Sequence, residues 1–273
     1  MRVARLALYG QELCAIEHRG ALYRVDRLDA ILGAPLPSGT ATFQRRVIAL
    51  GLGTLRDHVE ALEEGTRLDD ATVHVPPAQI LPPTSTSPRV RDVTAQSTEL
   101  CAPVPGRVLA HDTIGLLPRG AGPLVVAGAV ALVIADDLHL PTEAEARHAI
   151  LGMTLGIAWS LAADEQTAIA AGLGPMAARD VGTHLGPWLT EIDGAEHALD
   201  LRAGSRSLHT RLSLAEDRVA RIVARAGRFE DVHAGDVFVF VSPDRLSVEA
   251  GEDVTVSSVE LGTLRGRIGA AAR

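Results

Sequence analysis

Lysine and asparagine are both missing from this sequence, so all of its 26 Lys-plus-Arg positions are arginine, beside 10 histidines. Without lysine no side chain can form a Schiff base, and no lysine can act as a general base. Cysteine is nearly missing too. Cys14 and Cys101 lie far apart, and a pair of reduced, buried thiols in a cytosolic protein is expected. There is no basic stripe, and the formal net charge is −8, which argues against a nucleic-acid partner and gives no attraction to anionic lipid. The opening MRVARLALYGQEL has no apolar signal core. The longest apolar stretch, Pro123 to Ala135, is too short for a bilayer, which takes ~20 residues. No dinucleotide fingerprint, phosphate loop, HExxH, GxSxG or paired-cysteine motif occurs. A soluble, cytoplasmic protein with neither nucleic acid nor membrane as partner is expected.

What is present is 273 residues, 47% of them hydrophobic, enough for a sizeable core. Short apolar runs between Arg2 and Val25, punctuated by Gly10 and Gly20, predict a β-meander. Arg27–Leu32 and Thr42–Glu64 carry helical spacing. The stretch Val75 to Pro88 is rich in Pro, Ser and Thr and predicts a linker. Beyond it, Leu124–Ile134 and Gly152–Ser160 predict buried strands. Glu143–Ala149 predicts a helix capped by Thr142 with Glu145 three residues on. Leu199–Leu212 predicts a hairpin, and Leu214–Ala226 a helix capped by Ser213. VFVFV and VTVSSVELGTLRGRI predict closing strands. The fold class is α+β: a β-rich domain over residues 1–75, a linker over 76–88, and a mixed β-roll over 89–273.

Several segments together resemble the fumarylacetoacetate hydrolase family. They are the opening meander, PRVRDVTAQ from Pro88, GLGPMAARDVGTHLGPWLTEID from Gly172, and VELGTLRGRI from Val259. The resemblance spans nearly the whole chain. It implies a curled β-roll, a homodimer and a small-molecule substrate. It also implies a divalent cation held by an ExE pair on one strand and an Asp on the next, which polarises a dicarbonyl unit so that a C–C bond breaks through an enolate.

The departures fall on those residues. Ala127 and Ala129 stand where the ExE carboxylates should be, Ala158 at the Asp, and Ala177 at the family's lysine. Glu99 takes the place of the catalytic histidine, and Ser242 lies near a conserved-motif threonine of the family. No metal and no other cofactor is therefore expected. The remaining polar candidates are Glu99, His184 and Asp164 as acid or base, with Glu165 beside Asp164. Arg91, Trp159, Asp180 and Ser242 join the four alanines as substrate-binding candidates. A solvated loop or turn is the competing reading for Glu99, Asp164 and Glu165, a loop histidine in water or in a dimer contact for His184, an ion pair with Asp92 for Arg91, and core packing for Trp159. Two functions fit. One is a metal-independent enzyme acting on a small carbonyl-containing or polyketide-like molecule by cyclisation, isomerisation, dehydration or C–C cleavage, with bacterial specialised metabolism as a natural setting. The other is a non-catalytic pseudoenzyme or ligand-binding partner of an active paralogue.

Overall fold

The computed structural model describes residues 2–8, 10–18, 21–27, 47, 52, 72–73, 80–84, 88–94, 101–104, 107–117, 122–172, 178–179, 181–192 and 196–269. Its early strands are β1 (Arg2–Leu8), β2 (Gln11–His18), β3 (Ala21–Arg24), β4 (Thr72–Val73), β5 (Ile80–Leu81), β6 (Val90–Thr94), β7 (Cys101–Val104), β8 (Val108–Leu109) and β9 (Thr113–Leu116). There follow β10 (Leu124–Ile134), α1 (Glu143–His148), β11 (Ile150–Leu161), α2 (Ala162–Ala170), β12 (Thr183–Thr190), β13 (Glu196–Ala203) and β14 (Arg206–Ser213). The chain closes with α3 (Glu216–Ala226), β15 (Val237–Val241), β16 (Leu246–Val248), β17 (Asp253–Ser258) and β18 (Gly262–Gly269).

Two sheets face one another. The larger has 13 strands: ten run in the order β4-β3-β2-β1-β12-β11-β10-β15-β6-β7, and β16, β5 and β8 pair with β10, β1 and β12; the smaller runs β14-β13-β17-β18-β9. Trp159, Phe238 and Phe240 of the large sheet pack with Leu199, Leu201, Val256 and Leu264 of the small one to form the main core. The predicted meander is β1 to β3, and β1 continues the large sheet by pairing with β12, Arg2 opposite Thr190. The stretch expected as a linker contributes β5, whose Ile80 and Leu81 pair with Leu6 and Arg5.

Local signals placed most other elements. Thr142 and Glu145 form the reciprocal capping box at the start of α1. The hairpin turns at Gly204, whose φ of +55° suits glycine. Ser213, expected as the cap of α3, instead ends β14; the cap position is Ala215, with no side-chain bond. Strand pairing with β13 holds Ser213 in the ladder, opposite Glu196, so it is not available as a cap. The helix α2 was not foreseen. The helix expected over Thr42–Glu64 lies outside the described residues apart from Val47 and Leu52, both buried, as does that over Arg27–Leu32 apart from Arg27. Among the described residues no helix is long and apolar enough to cross a membrane.

Candidate functional site

The apolar run of β10 hides an alternation. Val126, Val130 and Leu132 belong to the main core, while Ala127, Ala129 and Ala131 belong to a separate cluster on the other face. Register extends this small-residue face sideways. Ala127 pairs directly with Ala158 of β11, Ala129 with Gly156, and Ala131 with Thr154. Residues directly opposite on antiparallel strands share a face. The three alanines expected at the cation ligands therefore meet on one side of the sheet, 3%, 0% and 4% exposed.

A methyl group offers no lone pair, so this face does not fit a hard divalent cation, which takes several oxygen ligands. Among the described residues no group of three His, Cys, Asp or Glu side chains could hold a metal ion.

Polar groups do border the alanine face. On β6, Val90 belongs to the alanine cluster and Val93 to the main core. By alternation Asp92 lies on the alanine side, opposite Val239 of β15. There Asp92 pairs with Arg179, both nearly fully buried. Burial pushes the Arg179 pKa down to about 10, which leaves it cationic at neutral pH. At the other end, Ser160 shares the face of Ala158 and donates to Glu165 Oε2 at 2.5 Å. Glu165 pairs in turn with Arg245, whose pKa burial lowers.

Several candidates project the other way. His184 is fully buried and stands beside Ile157 in the ladder, on the core face. Its Nδ1 accepts from Trp159 Nε1 at 2.9 Å, and its Nε2 donates to the Thr113 carbonyl at 3.1 Å. These partners assign the tautomer. Burial pushes its pKa down to about 4, despite the Thr113 contact. Solvent and interface were the expected surroundings for His184 if it was not functional; the structure gives it a packed core instead. Trp159 follows Ala158 on a strand and must face away from it. Arg91 does the same beside Asp92: it stacks 5.3 Å from the Phe238 ring centre and pairs with Glu230 at 2.7 Å and Asp236 at 2.8 Å. Burial opposes its charge, but these bonds prevail and hold its pKa above the ordinary value. Ser242 Oγ lies 2.9 Å from Thr210 Oγ1 on the small sheet. Asp164 is exposed in the first turn of α2, while the next residue, Glu165, is buried. Glu99, Ala177 and Asp180 lie outside the described residues.

The sequence reading passed over Arg179, Thr154 and Ser160. Arg179 had a usable signal, because it restores a cation two positions after the one lost at Ala177.

Comparison with known proteins matches residues 56–269 to the model for the fumarylacetoacetate (FAA) hydrolase C-terminal domain. Among curated proteins none matches. Solved structures share the fold across essentially the full length of both chains. One is 2-hydroxyhepta-2,4-diene-1,7-dioate isomerase from Mycobacterium marinum, at 18% identity, TM-score 0.70 and 100% coverage of each chain. Another is maleylpyruvate hydrolase from Sphingobium sp. SYK-6 in complex with manganese(II) and pyruvate, at 16% identity, TM-score 0.70 and 100% coverage of each chain. A third is fumarylacetoacetate hydrolase from Exiguobacterium antarcticum, at 15% identity and TM-score 0.71, covering 99% of this chain and 100% of that one.

Proposed function

The chain belongs to the fumarylacetoacetate hydrolase family, and on that premise we propose that it is a metal-independent member acting on a small carbonyl-containing molecule. The reaction is one that needs shape and proton transfer but no Lewis acid: cyclisation, isomerisation, dehydration or C–C cleavage. The observation that carries this reading is the pairing of Ala127 with Ala158, and of Ala129 beside them, on one buried face. A solved protein of the same fold is described in complex with manganese(II) and pyruvate, whereas this face offers methyl groups. Positioning a ligand against fixed groups can by itself lower a barrier by several kcal/mol.

Proton transfer in this reading falls to Glu165, which reaches the alanine side through the Ser160 hydroxyl, and to Glu99 at the position of the family's catalytic histidine. Asp164, exposed, and His184, on the core face, are left out of it. A second reading, a non-catalytic ligand-binding partner, draws on the packing of the same alanines with Val237, Val239 and Val241 into an apolar cluster.

Turnover of a panel of β-dicarbonyl and polyketide-like compounds, assayed with chelator and with added Mn²⁺, separates these readings. The expected result is turnover indifferent to both, falling by about 100-fold or more in Glu165→Gln. Activity that appears only with Mn²⁺ contradicts the metal-free reading. Tight binding without turnover of any compound leaves the binding-partner reading in its place.

A further inference from the structure

Two orphaned polar atoms lie on the alanine side. Among the described residues, fully buried Thr154 has no hydrogen-bond partner for its Oγ1, and Asp92, 1% exposed, has none for its Oδ1. Both belong to one lateral row of the large sheet, because Thr154 pairs with Ala131, Ala131 with Val239, and Val239 with Asp92. Between them stand a methyl group and a valine. An unpaired buried hydroxyl is costly to keep, and such orphans mark places where a ligand or ordered water completes the bonding. With strands ~4.8 Å apart, a molecule resting over Ala131 has Thr154 about one strand away and the Asp92–Arg179 pair about two strands away on the other side. That span suits a short, planar, oxygen-bearing molecule.

We infer that Arg179, oriented by Asp92, supplies the positive charge that meets a developing enolate oxygen of the bound molecule, with Thr154 donating to its second oxygen. This assignment rests on the alanine face being the ligand floor. It assigns a guanidinium the electrostatic task for which the face offers no metal ligands. A planar fork of N–H donors is suited to that task, since it can bond Asp92 on one edge and an oxyanion on the other.

Acetylacetone is a direct probe, because its enolate absorbs in the near ultraviolet and its binding is read without turnover. On binding at neutral pH the enol releases its proton to solvent, and the expected signal is a rise in enolate absorbance that saturates with the wild-type protein. Arg179→Gln is expected to weaken that signal at least tenfold. Asp92→Asn, which keeps an oxygen to orient the guanidinium but removes the negative charge that offsets it, is expected to strengthen it. Thr154→Val is expected to weaken it several-fold while raising the thermal midpoint by a few degrees, since an orphaned hydroxyl is removed. A merely structural Thr154 would instead lower the midpoint when lost. If Arg179→Gln does not fold, Arg179→Lys, which keeps the charge but loses the fork, is expected to weaken the signal several-fold. No enolate signal with the wild-type protein overturns the inference. So does binding unchanged in the folded Arg179 variant, or a lowered midpoint in Thr154→Val. Failure of the carbonyl panel with the enolate signal intact would reject the catalytic reading and leave this one standing.

Discussion

Trp159 and His184 share a buried hydrogen bond, and the burial of that histidine shapes how the protein answers acid. Burial lowers the His184 pKa to about 4 from an ordinary value of 6.5, and protonation would also force Nδ1 to give up the indole N–H. The unfolded chain takes up the proton first as pH drops, so the fold is not penalised above about pH 6.5 and loses stability progressively toward about pH 4. Between pH 7 and 5 the loss is about 2 kcal/mol. Urea unfolding across that range should show this slope in the wild-type protein and a flatter one in His184→Gln; equal slopes would contradict the assignment. The ring also lies against Gly266, where an added Cβ would come within 2.7 Å of it. None of this was legible from the residue alone. A histidine two positions before a Gly-Pro pair reads as a loop residue until its strand partner, Ile157, fixes which face it takes.

At the scale of elements, legibility followed the range of the signal. The box of Thr142 and Glu145 is local, and the helix it starts was anticipated to within a residue. Thr142→Ala should cost about 1 kcal/mol and lower the thermal midpoint by roughly 2–4 °C. An unchanged midpoint would mean that the ion pair of Arg147 with Glu216, at 2.9 Å, carries α1 without its cap. The alternation in LVVAGAVALVI was present in the sequence as well, with alanine at 127, 129 and 131 and a large residue at every even position except Gly128. It was masked because both faces are buried and the run reads as uniformly apolar. Neighbours such as Ala158 and Trp159, or Arg91 and Asp92, were grouped as one surface although a strand sends them to opposite faces. The choice between Asp164 and Glu165 turned on α2, which begins at Ala162 and turns Glu165 under the sheet. An alanine-rich stretch without a side-chain cap carries little to announce a helix.

For the whole molecule, the family motifs carried further than composition did. They pointed to the β-roll, and the match of residues 56–269 and the full-length structural relatives agree with it. Pairing of β1 with β12 was beyond reach of the sequence, because a ladder between residues some 190 positions apart leaves no local trace. The same holds for the alanine face, where Asp92, Ala131 and Thr154 come from three strands joined only by register. The most telling measurement is calorimetric titration of the chelator-stripped protein with Mn²⁺ at neutral pH, together with thermal midpoints in Mn²⁺ and in chelator. A face of methyl groups beside a carboxylate already paired with Arg179 predicts no stoichiometric binding and no shift in midpoint. Saturable binding of a single Mn²⁺ per chain, with a raised midpoint, would contradict it.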